Sequence, residues 1–242
     1  MKRLSYDLHL HSCLSPCGSE DMTPSNIAAM CALKGLDVIA LTDHNSGKNC
    51  PALAACAAQY EHLTVLAGME LCTTEEVHVL CLFPTLERAM AFDALVHDTL
   101  PPVQNRPDIF GEQTIVDENE RVLGEEPLLL IAGSSIGFDD VHERVAAAGG
   151  IMIPAHIDRP SNSLLSQLGF VPPDSAFHCA ELHDPANGPA LLEANPYLRG
   201  CTLVTNSDAH TLGDISEPVH FLEAASSAPA DILAALDPTF RG

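Results

Sequence analysis

The chain has 242 residues and a formal net charge of −22, from 11 Lys and Arg against 33 Asp and Glu. Hydrophobic residues make up 46% of the chain and charged residues 18%, so it can bury a large core and is neither disordered nor fibrous. Long nucleic acid and anionic membrane surfaces both attract a basic protein face. The acidic balance therefore predicts that neither is a partner.

Short apolar runs alternate with helical patterns along the chain. The predicted strands are Tyr6–His11, Val38–Leu41, Thr64–Gly68, Val77–Phe83, Ile151–Ile153, Cys179–Leu182, Thr202–Thr205 and Val219–Leu222. The predicted helices are Pro24–Lys34, capped by Thr23 and stopped by Gly35, then Pro51–Tyr60, Val141–Ala148 and Ala230–Leu236. This alternation predicts an α/β protein in which helices cover a parallel sheet.

The stretch 85–137 interrupts the alternation. It holds a helical piece, the break Pro101-Pro102 and a predicted hairpin of Thr114–Val116 with Arg121–Leu123. We predict that residues 1–242 form a single domain with an insertion at about 85–137, after the fourth strand. Whether this insertion forms a lid or a subunit contact stays open, as does self-association.

The cysteines and the N-terminal residues bear on where in the cell the protein is expected. There are nine cysteines, mostly in apolar stretches and without a CxxC pair, which is typical of buried, reduced thiols. The first residues pass directly into a polar motif, and no apolar run is long enough for a membrane span or a signal peptide. These features predict a cytoplasmic protein.

Residue types that bind metals follow or begin nearly every predicted strand. In chain order they are His9, His11, Asp43, His44, Glu70, His78, His156, Asp208 and His210. In a parallel barrel the carboxyl ends of the strands meet at one rim, where barrel enzymes keep their active sites. Histidines scattered through a core would not show this bias, so the pattern predicts a metal site at the rim.

The number of these side chains exceeds what one ion needs. Zinc takes about four ligands, so the set suits two or three divalent ions held close together. Such a cluster generates hydroxide at neutral pH and binds the oxygens that enter and leave in a displacement. Divalent cations at the rim would also attract a phosphate that the acidic protein repels.

The motifs resemble those of the PHP (polymerase and histidinol phosphatase) family. They are Asp7-Leu8-His9-Leu10-His11-Ser12, Leu41-Thr42-Asp43-His44, Gly68-Met69-Glu70, Pro154-Ala155-His156 and Ser207-Asp208-Ala209-His210. The resemblance implies a distorted (β/α)7 TIM-like barrel with zinc, manganese or iron ions. By motif position the implied ligands are His9, His11, His44, Glu70, His78, His156, Asp208 and His210.

Cys17 occupies a position where this sequence departs from the family pattern. Many members carry a ligand Asp or His about six residues after the second His of HxH, and Cys17 is six residues after His11. A thiolate there would favour zinc or iron over manganese. The alternatives are that this ligand is lost, or that Glu20 or Asp21 replaces it.

The resemblance implies metal-dependent phosphoester hydrolysis, and we expect a small phosphomonoester as substrate, of nucleotide or histidinol-phosphate type. In this hypothesis a metal-bridging hydroxide attacks phosphorus. Asp43 and His183 are the candidate catalytic residues, and Arg159 and Lys48 are the candidate phosphate-binding residues.

Two other functions stay open. One is a metal-dependent amidohydrolase or deaminase, although the chain has no lysine at a predicted strand end to bridge two metals. The other is a metal-binding protein without catalytic activity.

Overall fold

The structure is a computed structural model that describes residues 1–242. Its ten strands are β1 (Lys2–Leu10), β2 (Val38–Leu41), β3 (Thr64–Cys72), β4 (His78–Phe83), β5 (Thr114–Val116), β6 (Val122–Glu125), β7 (Ile151–Pro154), β8 (Cys179–Glu181), β9 (Thr202–Val204) and β10 (Phe221–Ala224). Its eight α-helices are α1 (Pro24–Lys34), α2 (Cys50–Ala57), α3 (Leu86–His97), α4 (Pro107–Phe110), α5 (Phe138–Ala147), α6 (Leu164–Leu168), α7 (Gly188–Ala194) and α8 (Pro229–Leu236).

Eight of the strands, in two sheets, form a distorted TIM-like barrel, which is the fold that the resemblance implies. A curled six-stranded sheet has the order β10-β1-β2-β3-β4-β7, and β8 pairs with β9 beside it. The N–H of Ile157 donates to the Glu181 carbonyl at 2.9 Å, which joins the end of β7 to β8. The N–H of His11 donates to the Ala209 carbonyl at 3.0 Å, which joins the end of β1 to the segment after β9.

The sheet is not fully parallel, and this part of the prediction is wrong. Strand β4 runs antiparallel to both β3 and β7, and β10 runs antiparallel to β1. Only the segment 73–77 separates β3 from β4, and a parallel crossover needs a dozen residues or more. Because β4 is reversed, its first residue, His78, pairs with Cys72 at the last position of β3. The start of β4 therefore lies at the same rim as the ends of its neighbours.

A bulge in β1 aims the HxH motif inward. The register between β1 and β2 shifts by one residue between Asp7 and Leu10. Before it, Leu4, Tyr6 and Leu8 belong to the inner apolar cluster. The extra residue exchanges the two faces of the strand, so that His9 and His11 follow on the inner side.

Two apolar clusters hold the barrel together. The inner cluster combines alternate residues of the strands with Ile232, Leu233 and Leu236 of α8, which packs at the end of the barrel opposite the rim. The larger cluster lies between the strands and the surrounding helices and contains 37 buried residues. The interior is thus filled with side chains below the rim, which leaves the rim for polar groups.

Most of the predicted helices and strands are present at the predicted positions. Helix α1 begins after Thr23, whose side chain accepts from the N–H of Asn26, and ends at Gly35 with φ of 79°. The predicted hairpin is present as β5 and β6. Strand β3 extends four residues beyond its prediction, because it continues to pair with β4 past the end of β2. The insertion at 85–137 in a single domain stays a prediction.

All nine cysteines are free, and seven of them are buried. No helix of the structure is both long enough and apolar enough to span a membrane.

Gly68 in β3 lies two residues before Glu70, where β3 and β4 approach each other closely, so a substitution there tests this contact. A Cβ on Gly68 would lie 2.4 Å from the Cys81 carbonyl oxygen and 2.9 Å from Leu82 Cδ2, both in β4. We expect Gly68→Ala to lower the free energy of unfolding by about 1–3 kcal/mol, measured by chemical denaturation. Gly124→Ala in β6 is the control, because its Cβ meets nothing within 4 Å. Equal effects of the two substitutions would contradict this account of the β3–β4 contact.

Candidate metal centre

Glu70 lies at the centre of a buried cluster of imidazoles. Its Oε1 is 2.9 Å from His78 Nδ1, 3.1 Å from His156 Nε2 and 3.2 Å from His9 Nε2. Its Oε2 is 2.9 Å from His44 Nδ1. Strands β1, β3 and β4 and the segments after β2 and β7 supply these side chains, so residues far apart in the sequence converge on one carboxylate.

Asp208 completes the cluster on its other side. Its Oδ1 lies 3.1 Å from His11 Nε2 and 3.3 Å from His9 Nε2. The ring of His210 stacks on that of His11, with centroids 4.2 Å apart. Three groups of side chains have ligand atoms within 4.8 Å of one another: His9, His11 and Asp208; His11, His44 and His210; His44, Glu70 and His78.

The structure therefore brings together the eight side chains His9, His11, His44, Glu70, His78, His156, Asp208 and His210. Two of them have left-handed backbone, with φ of 32° at His156 and 52° at Asp208. Residues other than glycine rarely adopt such angles, and strained residues cluster at functional sites.

Glu181 is a site residue that the sequence analysis missed. Its carboxylate accepts from His9 Nδ1 at 3.0 Å and from the His156 backbone N–H at 2.8 Å. A proton fixed on Nδ1 leaves the Nε2 lone pair of His9 pointing into the cluster, as a metal ligand requires. Glu181 lies within the predicted strand Cys179–Leu182, so its place at a strand end was the available signal.

Asp43 supports the neighbouring imidazole through a serine. The Ser15 hydroxyl donates to Asp43 Oδ1 at 2.7 Å and lies 3.0 Å from His11 Nδ1. Because its proton is directed at Asp43, its oxygen accepts from His11 Nδ1, and His11 Nε2 is left free as a ligand. Asp43 thus orients His11, and its carboxylate reaches the cluster only through Ser15. A catalytic role for Asp43 stays a prediction.

The buried charges perturb one another strongly. Burial opposes a positive charge on His9, but three nearby carboxylates outweigh it and raise the pKa of His9 well above its usual value. Burial lowers the pKa of His11 to about 3, assisted by the charge of His44. Burial would raise the pKa of Glu70, but the imidazoles around it hold that pKa well below its usual value. Such opposed shifts among adjacent groups are typical of functional sites.

The donor atoms fit divalent cations. His44 Nδ1 and Glu70 Oε2 are buried without a hydrogen bond, although they lie only 2.9 Å apart. A buried polar atom without a hydrogen bond is costly in a protein interior unless a cation lies nearby. Imidazole nitrogens and carboxylate oxygens are the ligands that zinc, iron and manganese accept.

The other predicted site residues lie at the edge of the cluster or outside it. Arg159 Nη1 contacts Asp208 Oδ2 at 2.5 Å. The ammonium of Lys48 pairs with Glu126 within 85–137. His183 is exposed, and its backbone N–H donates to Asp158 at 2.6 Å. Of these three, Arg159 alone contacts one of the eight clustered side chains.

Cys17 is not part of any of the three ligand groups. The residue is exposed. Surrounding protein atoms and the charge of Glu70 raise the pKa of its thiol to about 12. Its exposure and its absence from the ligand groups set Cys17 apart from the eight clustered side chains.

Comparison with known proteins identifies the family model that matches this chain. The model described as the PHP domain matches residues 7–163. A comparison with curated proteins gave no match.

Solved structures share the fold at low sequence identity. Lesion-specific endonuclease Q from Pyrococcus furiosus is 19% identical, with a TM-score of 0.65 over 98% of this chain and 56% of that one. A predicted metal-dependent phosphoesterase from Bifidobacterium adolescentis is 17% identical, with a TM-score of 0.63 over 98% of both chains. An amidohydrolase from Chromobacterium violaceum with bound sulfate is 17% identical, with a TM-score of 0.56 over 93% of both chains. At these identities the likeness shows the fold, and this chain spans about half the length of endonuclease Q.

The expectation that the acidic balance excludes long nucleic acid is wrong. A second structure of endonuclease Q, 19% identical with a TM-score of 0.61, holds a 27-mer DNA duplex with an abasic lesion at its active site. A net charge of −22 is a sum over the whole molecule. A phosphate group meets only the local field of a site, which bound cations and imidazoles can make positive.

Removing the central charge tests the cluster as a metal centre. We expect Glu70→Gln to lower the amount of divalent metal bound per chain by at least one ion, because a neutral amide lacks the negative charge that balances a cation. Elemental analysis after dialysis against Zn²⁺ measures this number. Glu193→Gln is the control, because Glu193 is exposed and outside the cluster. Unchanged metal content in the Glu70 variant would contradict the proposed centre.

Replacing Cys17 decides whether its thiol is a ligand. The exposed position predicts that Cys17→Ser keeps the zinc stoichiometry and affinity of the wild type, measured by competition with a chromogenic chelator. A loss of one ion per chain would instead show that the loop 12–19 closes over the metals with the thiolate bound.

Proposed function

The chain belongs to the PHP domain family of metal-dependent hydrolases, and we propose that it hydrolyses a small phosphomonoester, of nucleotide or histidinol-phosphate type. The observation that carries the proposal is the convergence of six imidazoles and two carboxylates at one barrel rim. A half-exposed guanidinium, Arg159, borders them. Cations together with an arginine suit the three unbridged oxygens of a terminal phosphate.

The eight clustered side chains would hold two or three divalent ions, of zinc, manganese or iron. Bound there, the ions would activate water as a nucleophile and stabilise charge on the phosphate oxygens. Glu181 and Ser15 keep the Nε2 lone pairs of His9 and His11 available as ligands. Arg159 can exchange its contact with Asp208 for a phosphate oxygen, since both partners are anionic.

Protonation of the leaving group needs a group at the mouth of the site. His183 is the candidate general acid, because it is exposed and follows β8 at the rim. Lys48 is a weaker candidate for phosphate binding, since its ammonium is already paired with the buried carboxylate of Glu126.

A second candidate substrate is a phosphodiester in nucleic acid. It is favoured by the shared fold with endonuclease Q, which holds a damaged DNA duplex at its active site. Amide hydrolysis is a third candidate, favoured by the shared fold with the Chromobacterium amidohydrolase. The same cluster could activate water in each case, so only an assay with different substrates distinguishes the three candidate reactions.

A substrate panel tests the proposal. Protein loaded with Mn²⁺, Zn²⁺ or Fe²⁺ is offered nucleoside monophosphates, histidinol phosphate, a DNA duplex with an abasic site and an N-acyl amino acid. We expect release of inorganic phosphate from a monoester, and loss of that activity with EDTA. Cleavage of the duplex alone, or of the amide alone, would replace the proposed substrate by the second or third candidate.

Arg159 provides a test of phosphate binding in the same assay. We expect Arg159→Ala to raise KM for the monoester about 10-fold or more, because a charge-assisted hydrogen bond contributes about 1.5–3 kcal/mol. Arg199→Ala is the control, since Arg199 is exposed and bonds only backbone carbonyls in its own neighbourhood. An unchanged KM in the Arg159 variant would contradict its role.

A further inference from the structure

The loop that follows ligand candidate His44 is held by the segment 85–137. Each residue of the loop 45–49 has a partner there. Asn45 Nδ2 donates to the Leu130 carbonyl at 2.7 Å. The Ser46 hydroxyl and the Gly47 N–H both donate to Asp93 Oδ1, at 2.8 and 2.7 Å. The remaining two residues, Lys48 and Asn49, bind Glu126 and the strand β5.

Asn49 makes the contact that leads from this segment to the metal centre. It is fully buried. Its Oδ1 accepts from the Val116 N–H at 3.1 Å, and its Nδ2 donates to the Thr114 carbonyl at 3.1 Å. The same Nδ2 also donates to the Ser12 hydroxyl at 3.0 Å. One side chain therefore joins β5 to the residue that follows His11.

A buried relay continues from Ser12 to His11. The Ser12 hydroxyl donates to Asp43 Oδ2 at 2.6 Å, and the Ser12 N–H donates to Asp43 Oδ1 at 2.7 Å. Asp43 accepts from Ser15, which in turn lies 3.0 Å from His11 Nδ1. Ser12, Ser15 and Asp43 are all buried, so water cannot replace a lost member at low cost.

We propose that Asn49 is a positioning residue of the metal centre, and that 85–137 is a fixed brace that keeps His11 ready to bind metal. The inference rests on the metal centre of the proposed function. A lid that opens in each catalytic cycle would have to break these buried hydrogen bonds each time, which the proposal excludes. The sequence alone does not distinguish a lid from a subunit contact for this segment.

The experiment compares two buried side-chain amides, Asn49 in the loop 45–49 and Gln113 in the segment 85–137. Asn49→Ala removes the hydrogen bonds to Ser12, Thr114 and Val116 and a long contact of 3.8 Å with Cys13 Sγ. Gln113→Ala removes three hydrogen bonds, to the Glu126 and Leu128 carbonyls and from the Leu130 N–H, all within 85–137. Both variants lose similar bonding, but Asn49 alone touches the relay. Zn²⁺ affinity is measured by chelator competition, and the Co²⁺ d–d absorption spectrum reports ligand geometry.

We expect Asn49→Ala to bind Zn²⁺ about 5-fold more weakly than the wild type, which is less than the loss of a group bonded directly to a metal ligand causes, because Asn49 acts on His11 through Ser12, Asp43 and Ser15. Its Co²⁺ spectrum should shift. Gln113→Ala should stay within about twofold of the wild type and keep its spectrum, even if both variants melt at lower temperature. Equal weakening in the two variants, or wild-type binding and spectrum in Asn49→Ala, would overturn the proposal.

Ser12→Ala is the second variant if Asn49→Ala does not fold. It cuts the relay between Asn49 and Asp43 without removing any contact of β5, and the same weakening and spectral shift are expected. Wild-type Zn²⁺ binding in this variant would overturn the relay. A wild-type protein that binds no Zn²⁺ would refute the proposed function and this inference with it, whereas normal wild-type binding with unaffected variants would refute the inference alone.

Discussion

The whole site depends on one buried carboxylate. Glu70 lies within 3.2 Å of an imidazole nitrogen on each of four histidines, and all of them are largely hidden from water. Protons alone cannot satisfy this arrangement. If several of these adjacent buried imidazoles are protonated they repel one another, and if all are neutral the buried Glu70 carboxylate has no counter-charge. Divalent cations would resolve the conflict, since the nitrogens and oxygens that face one another could then act as ligands. The barrel rim therefore suits more positive charge than its own imidazoles can carry.

The rest of the fold restricts how those ligands can move. The bulge in β1 turns His9 and His11 inward, and the reversed strand β4 brings His78 to the same rim. Behind the imidazoles, Glu181 and Ser15 fix which ring nitrogen carries the proton. Precise placement of ligands before a cation binds reduces the ordering cost of binding. The polar residues outside the cluster therefore contribute to function through geometry.

Local patterns in the sequence predicted an α/β protein with metal-binding residue types at strand ends, because apolar runs and residue types are visible without the fold. The distorted barrel and the set of eight ligands were implied by the resemblance to the PHP family. It did not predict the reversal of β4, since a short buried strand reads the same in either direction. Glu181 was missed because a carboxylate behind a ligand has no motif of its own. The net charge led to a wrong prediction about nucleic acid, because a composition does not say where the charged side chains lie in the fold. The contacts of Asn49 join segments that are far apart in the sequence, so the spacing of residues along the chain could not predict them.

Anomalous X-ray diffraction at the zinc absorption edge, from crystals grown with Zn²⁺, tests the central claim most directly. The account predicts two or three anomalous peaks among the imidazoles, next to the Glu70 carboxylate. A map without peaks there, with Glu70 still paired directly to the surrounding histidines, would contradict it.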